Sequence, residues 1–185
     1  MIKSVLAYKR KSYIQTGELF FWTATINQWQ RLLYKEAYKE VIISSLTYLS
    51  SQHKIEVFAF VIMPNHIHLI WRINESNGKE TPQASLLKYT AHQFKKMIKE
   101  EAGDLAAYRV HAVNKQYEFW QRDSLAVSLY TKAVAMQKLD YIHYNPVADH
   151  WRLAADPCAY KYSSARYYEM NEKEFSFLRD LRKEF

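Results

Sequence analysis

Two short runs of the sequence hold residue types whose spacing suits chemistry. The first is His66-Ile67-His68. In a strand, residues two apart point to one face, with β-carbons close enough for two imidazoles to share an ion. Imidazole is the commonest metal ligand and is largely neutral at pH 7. The second run is Asp140-Tyr141-Ile142-His143-Tyr144-Asn145-Pro146. On a helix, Tyr141 and Asn145 stand four apart and share a face. The amide oxygen of Asn145 could supply a third ligand to a metal while the Tyr141 phenol stays free to attack. Each run alone has a plainer reading: two histidines on one strand face by chance, and a helix end with a packed tyrosine and a polar residue before Pro146.

The residues just after the histidine pair narrow its meaning. A histidine-triad hydrolase needs a third alternating histidine, but position 70 is Ile. A metallo-β-lactamase pattern needs Asp and His just downstream, where Leu69, Ile70 and Trp71 stand. A cupin barrel needs many glycines, and the chain has three. The single cysteine, Cys158, excludes an internal disulfide and a multi-cysteine metal site, and a buried, inert thiol is expected.

Periodicity locates the elements that carry these residues. Glu18 to Ile26 is aromatic and β-branched, which predicts a strand. Gln28 to Ser51 carries Trp29, Leu32, Leu33, Ala37, Val41, Ile42, Leu46 and Leu49 at helical spacing. Lys54 to Ile62 and His66 to Ile73 read as two strands joined by a Met63-Pro64-Asn65 turn. After a polar loop, Pro82 opens a helix to about Glu101, with Leu86, Leu87, Thr90, Phe94, Met97 and Ile98 on one face. Ser124 to Tyr130 predicts a strand, and Lys132 to Tyr144 a helix that Pro146 helps to end. A short helix is expected within 158–170, and a charged, mobile end after it. This order predicts an α+β fold: an antiparallel sheet with helices packed on one side. One domain spanning 1–185 is the natural expectation at this length, with 148–185 as a C-terminal extension packed on it.

Lys and Arg total 26 against 19 Asp and Glu, a net charge of +7, which favours polyanionic partners. Lys88, Lys95, Lys96 and Lys99 recur along one helix and, with Arg122, are the candidate DNA-backbone contacts. No apolar run approaches 18 residues and the start, MIKSVLAYKRKSY, has no signal-peptide pattern, so a soluble cytosolic protein is expected, with no membrane partner.

Taken together, Phe60 to Trp71 (FVIMPNHIHLIW) and Tyr141 to Val147 (YIHYNPV) resemble the single-tyrosine HUH transposases, specifically the REP-associated tyrosine transposase branch. There a Met-Pro-Asn-His-x-His hairpin is followed by a helix reading Tyr-Ile-x-x-Asn-Pro. Phe119-Trp120-Gln121-Arg122 and Lys161 to Glu169 (KYSSARYYE) are similar to further segments of that branch, so the resemblance runs from about residue 15 to 170. Two places depart from it: Asp123-Ser124-Leu125 after Arg122, and Ala148-Asp149-His150 after Val147.

The resemblance implies a ferredoxin-like HUH fold and carries four roles over. Tyr141 matches the nucleophile, His66 and His68 the metal-binding histidines, and Asn145 the third ligand. Nitrogen and oxygen ligation without thiolate fits Mg2+ or Mn2+. The implied activity is cutting and rejoining of single-stranded DNA, at hairpin-bearing repeats, through a 5′-phosphotyrosine intermediate with release of a 3′-OH. The implied setting is the prokaryotic cytoplasm, associated with the nucleoid. Some relatives are homodimers in which the tyrosine helix serves the partner's histidines, and others act as monomers. The sequence leaves two other readings open: a hairpin-binding protein that keeps the fold without cutting, and a metal-dependent hydrolase that uses water.

Overall fold

The computed structural model describes residues 14–113, 115–122 and 124–185. The first 13 residues, on which the expectation about a signal peptide rests, lie outside them, as do Asn114 and Asp123. The strands and helices are β1 (Leu19–Thr25), α1 (Glu36–Ser51), β2 (Ile55–Ile62), β3 (His66–Ile73), α2 (Pro82–Glu100), β4 (Arg109–Ala112), β5 (Lys115–Tyr117), β6 (Leu125–Ser128), α3 (Lys132–Tyr144) and α4 (Ala165–Glu169).

The main sheet has the order β2-β3-β1-β6, and each neighbouring pair is antiparallel. β1 and β2 therefore run parallel with β3 between them, as do β3 and β6 with β1 between them. Each such pair needs a crossover, and α1 and α2 provide it, which is the split β-α-β pattern of a ferredoxin-like fold. The two helices pack on each other, with the Tyr38 and Phe94 rings 5.5 Å apart. The expected antiparallel α+β class holds, and α1 and α2 are the helices of one side. α3 adds a further layer: it lies against β2 and β3, on the face that carries the histidines.

Alternation along the central strands assigns the faces. On β1, Phe20, Trp22 and Ala24 point one way with Ile67, Leu69 and Trp71 of β3, and all are buried. Phe21 and Thr23 point the other way, towards His68. Threonines cap the starts of α2 and α3. Thr81 accepts from the Ala84 N–H at 3.2 Å ahead of Pro82, and Thr131 accepts from the Val134 N–H at 3.3 Å.

Four points depart from expectation. The helix read from Gln28 begins only at Glu36, after two 3-10 turns at Asn27–Trp29 and Leu32–Tyr34. Gln28 and Trp29 sit at φ 53° and 57°, where a right-handed helix cannot run. The small two-stranded β4–β5 sheet was not anticipated. The chain end, expected to be mobile, is docked. Phe177, Leu178 and Leu181 are buried, Arg179 N–H donates to the Val57 carbonyl at 2.9 Å, and Arg72 pairs with Glu184 and Glu56. With Val61 bridging to Ser163, this covers the β2 edge of the sheet. Cys158 is free and half-buried rather than buried, with burial foremost in pushing its thiol pKa up.

Candidate active site

The β2–β3 hairpin places the two histidines. Pro64 cannot donate to a ladder, so the turn closes instead by Met63 N–H donating to the His66 carbonyl at 2.8 Å. The Asn65 carbonyl accepts from Ile26 N–H at 2.7 Å and the Pro64 carbonyl from Leu33 N–H at 2.9 Å, which ties the hairpin tip to the end of β1 and the turn beyond it. From there His66 and His68 project to the same face, their rings 4.7 Å apart.

The hydrogen bonds of each imidazole decide which nitrogen is free. Asn65 Nδ2 donates to the Trp29 carbonyl at 3.4 Å, which orients the amide so that Asn65 Oδ1 accepts from His66 Nδ1 at 2.7 Å. The neutral His66 ring then carries its lone pair on Nε2. His68 Nδ1 is 2.7 Å from Thr23 Oγ1, and His68 Nε2 is buried with no hydrogen-bond partner. Burial holds the His66 pKa down to about 4, helped by His150 nearby. Burial, with the charges of His66 and Lys138, holds His68 down to about 3. Both are neutral at pH 7, the form a metal needs.

α3 supplies the rest. Its sequence puts Tyr141 and Asn145 on the face turned to the sheet's histidines. The Tyr141 ring meets His68 edge-on at 5.2 Å and Phe21 at 5.8 Å, within the same chain. Tyr141 is nonetheless 48% exposed, so its phenol is open to a substrate. Asn145, in the 3-10 turn that ends α3, is buried, and its Oδ1 has no hydrogen-bond partner. His66, Tyr141 and Asn145 share a cleft of about 400 Å³ with Trp29, Tyr144 and Trp151 among its walls.

Buried polar atoms are almost always paired, so an unpartnered imidazole nitrogen and an unpartnered amide oxygen need an explanation. The amide oxygen is a lone-pair donor, and so is His68 Nε2 in the tautomer whose Nδ1–H donates to Thr23 Oγ1. With His66 Nε2 they are the two imidazoles and one carboxamide expected for a hard or borderline cation. No cluster of three or more His, Cys, Asp or Glu side chains able to hold a metal occurs among the described residues. The donor set here therefore fits a cation only through the amide.

The candidate DNA contacts divide. Lys88, Lys95 and Arg122 line one cleft of about 910 Å³ between α2 and the β4–β5 hairpin. Lys95 stands 4.8 Å over the Tyr117 ring, while Lys88 pairs with Glu80 and Arg122 with Glu118. Lys96 and Lys99 do not line it, and Lys96 faces Glu100 at 3.8 Å.

Some residues of the site escaped the sequence reading. Lys138 holds its ammonium 4.9 Å over Phe21 and 5.5 Å over Tyr141. Its position three residues before Tyr141 is a usable signal on a helix. Thr23 and Trp151 meet the histidines only through tertiary folding and leave no such signal. His143, inside the tyrosine motif, points away from the site: it bonds Ser164 Oγ at 2.9 Å, and burial holds its pKa down to about 4.

No protein-family model matches the chain, and no curated protein matches it in sequence. Among solved structures it is similar to a REP-associated tyrosine transposase bound to a REP hairpin. The identity is 18% and the TM-score 0.60, over 92% of this chain and 91% of that one. A transposase candidate from Deinococcus radiodurans also aligns, at 14% identity and TM-score 0.44, over 77% of this chain and 95% of that one. At 18% identity the first likeness is one of fold, and this chain has the fold of that tyrosine transposase along nearly its whole length. No helix among the described residues is long and apolar enough to cross a membrane.

Proposed function

We propose that the protein is a single-tyrosine transposase that cuts and rejoins single-stranded DNA, with Tyr141 as nucleophile. One observation carries the reading: two unpartnered, buried lone-pair atoms, His68 Nε2 and Asn145 Oδ1, flank a half-exposed tyrosine whose ring rests on His68. A structural tyrosine would not need them.

His66, His68 and Asn145 would hold a divalent cation, Mg2+ or Mn2+. Such an ion supplies Lewis-acid relief of charge on a phosphate and a template for its orientation. The chain's own residues do the remainder. Tyr141 Oη attacks the phosphorus, so a bond from phosphorus to the phenolic oxygen forms while the bond to the 3′-oxygen breaks. The phenolic proton leaves to solvent and the departing 3′-oxygen gains one, giving a 3′-OH and a 5′-phosphotyrosine. Attack by a 3′-OH on that phosphotyrosine reverses the exchange, so joining needs no ATP. Lys138 places positive charge beside the Tyr141 ring, where the phosphate approaches. Thr23 and Asn65 fix the imidazole rings, which keeps the site preorganised. The fold likeness to a hairpin-bound transposase supports hairpin-bearing DNA as the substrate class.

The test is a covalent adduct. The protein, a hairpin-bearing single-stranded oligonucleotide and Mn2+ should give a shifted band on a denaturing gel, with the nucleotide mapped to Tyr141 by mass spectrometry. Tyr141→Phe should give none. An adduct formed equally by Tyr141→Phe sinks the assignment. Cutting without any adduct would indicate a water-using hydrolase instead, and DNA binding with neither would indicate a non-cleaving hairpin binder.

A further inference from the structure

Three aromatic rings stand around the Tyr141 cleft, and two of them, Trp29 and Tyr144, lie outside the core. Trp29 and Tyr144 are each 62% exposed, and Trp151 is half-buried. All three line the cleft together with His66, Tyr141 and Asn145. A large ring left in water forgoes the gain of burial, so its placement calls for another cause.

Trp29 is also held there against a cost. Gln28 and Trp29 both occupy the left-handed region, at φ 53° and 57°, which non-glycine residues adopt only when the surroundings impose it. Two bonds do so. Trp29 N–H donates to the Ile26 carbonyl at 3.0 Å, and the Trp29 carbonyl accepts from Asn65 Nδ2 at 3.4 Å. Asn65 Oδ1 is the acceptor that orients His66. One side chain thus sets both the aromatic lip and the imidazole. On the far wall, Trp151 lies 5.8 Å from the His66 ring, with the Arg31 guanidinium 5.8 Å over its own.

We infer that Trp29, Tyr144 and Trp151 form a stacking site for one unpaired base adjacent to the phosphate that Tyr141 attacks. The inference rests on the reading of Tyr141 as a nucleophile towards DNA. A base in a duplex has both faces covered by its neighbours, whereas an unpaired base offers them to aromatic side chains. Every base has such a face, so this site selects a single strand over a duplex with little regard to sequence. A cleft of about 400 Å³ lies in the range that holds nucleotide-sized ligands. Arg31, beside Trp151, puts a cation where the backbone of the stacked nucleotide would pass.

The experiment compares two probes on the full chain in a Tyr141→Phe background, which prevents turnover. One is a 12-mer of deoxyadenosine, the other a 12-mer of abasic sugar-phosphate, both with Mn2+. Trp29→Ala should weaken binding of the deoxyadenosine strand about tenfold or more and leave the abasic strand unchanged. Trp29→Phe should restore most of the affinity, and Tyr144→Ala should show the same selective loss to a smaller degree. Loss of equal size on both strands, or on neither, overturns the stacking site. If Trp29→Ala does not fold, the Trp29→Phe and Tyr144→Ala pair decides by the same criterion. Adduct formation by the wild-type chain, without any base-dependent effect of these variants, sinks the stacking site alone. Absence of both adduct and DNA binding sinks the nucleophile reading with it.

Discussion

On one face of β3, Ile67, Leu69 and Trp71 are fully buried among apolar neighbours; on the other, His66 and His68 are buried almost as deeply beside Thr23, Phe21 and Tyr141. Both faces hide polar atoms that lack a hydrogen-bond partner. On the core face these are the indole nitrogens of Trp22 and Trp71, whose rings lie 4.9 Å apart. On the other face they include Arg72 Nε near the strand's far end and, at the site, His68 Nε2 and Asn145 Oδ1. An indole N–H can only donate, so it cannot hold a cation. The amide oxygen, and the imidazole nitrogen when His68 Nδ1–H donates to Thr23 Oγ1, are satisfied by a donor or a cation. The same strand therefore builds structure on one side and, on the other, holds the groups proposed to bind a cation.

Single substitutions on the two faces separate these roles. His68→Ala removes one ligand and little apolar packing. We expect adduct formation to fall by on the order of a thousandfold, matching the several kcal/mol a cation contributes, while the chain stays folded. Leu69→Ala, its neighbour on the core face, should lose about 2–5 kcal/mol of unfolding free energy by cavity formation. Its activity per folded molecule should be unchanged. Rate measurements beside urea titrations check both, and a His68→Ala chain as active as the parent breaks the comparison.

A third buried histidine sharpens it. His143 also has a depressed pKa, about 4, but its Nε2 is paired with Ser164 Oγ, so it belongs with the structural face. Unfolded, it titrates near 6.5. As pH falls below that value the unfolded chain takes up a proton that the folded chain refuses until about pH 4. Stability contributed by neutral His143 is therefore complete above pH 6.5 and is lost between 6.5 and 4, by on the order of 3 kcal/mol. His66 and His68 add to this loss in the same direction. His143→Gln should flatten the pH dependence of the unfolding midpoint in that window. Added Mn2+ should raise the midpoint of the parent and of His143→Gln alike, because His143 is not among the proposed ligands His66, His68 and Asn145.

Much of this division is legible in the sequence. Alternation alone separates Ile67, Leu69 and Trp71 from His66 and His68, and helical spacing alone joins Tyr141 to Asn145. α3 is found over Lys132–Tyr144, as its periodicity and Pro146 predict. The features that were not legible depend on contacts between distant segments. Leu32 and Leu33 continue the apolar pattern of α1, yet the backbone of Gln28 and Trp29 turns left-handed to reach the hairpin tip. The Arg109–Ala112 and Lys115–Tyr117 strands are too short and too polar to show a period. The chain end reads as charged because its three anchors, Phe177, Leu178 and Leu181, find their partners only against β2. In the site, the residues proposed to do chemistry were readable as motifs. Those that orient them, Thr23 above all, were not, since Thr23 meets His68 across 45 residues.

Asn65 offers the finest cut between the two faces, because it belongs to the hairpin turn by sequence and to the histidine site by contact. If it were only a turn residue, its replacement would alter stability. Its side chain instead bonds His66 Nδ1 and the Trp29 carbonyl, and fixes the tautomer that leaves His66 Nε2 open. Asn65→Ala keeps the backbone bonds of the turn, from Met63 N–H and from Ile26 N–H, since neither uses the side chain. We therefore expect a modest change in the thermal midpoint and a loss of about 10–100-fold in Mn2+ affinity, the usual consequence of removing an orienting partner of a ligand histidine. Asn65→Asp should recover affinity, because a carboxylate accepts from Nδ1 at least as well as the amide does. Calorimetric titration of Mn2+ into the three proteins measures it. Equal affinities across the series would place Asn65 with the turn and leave His66 oriented by packing alone.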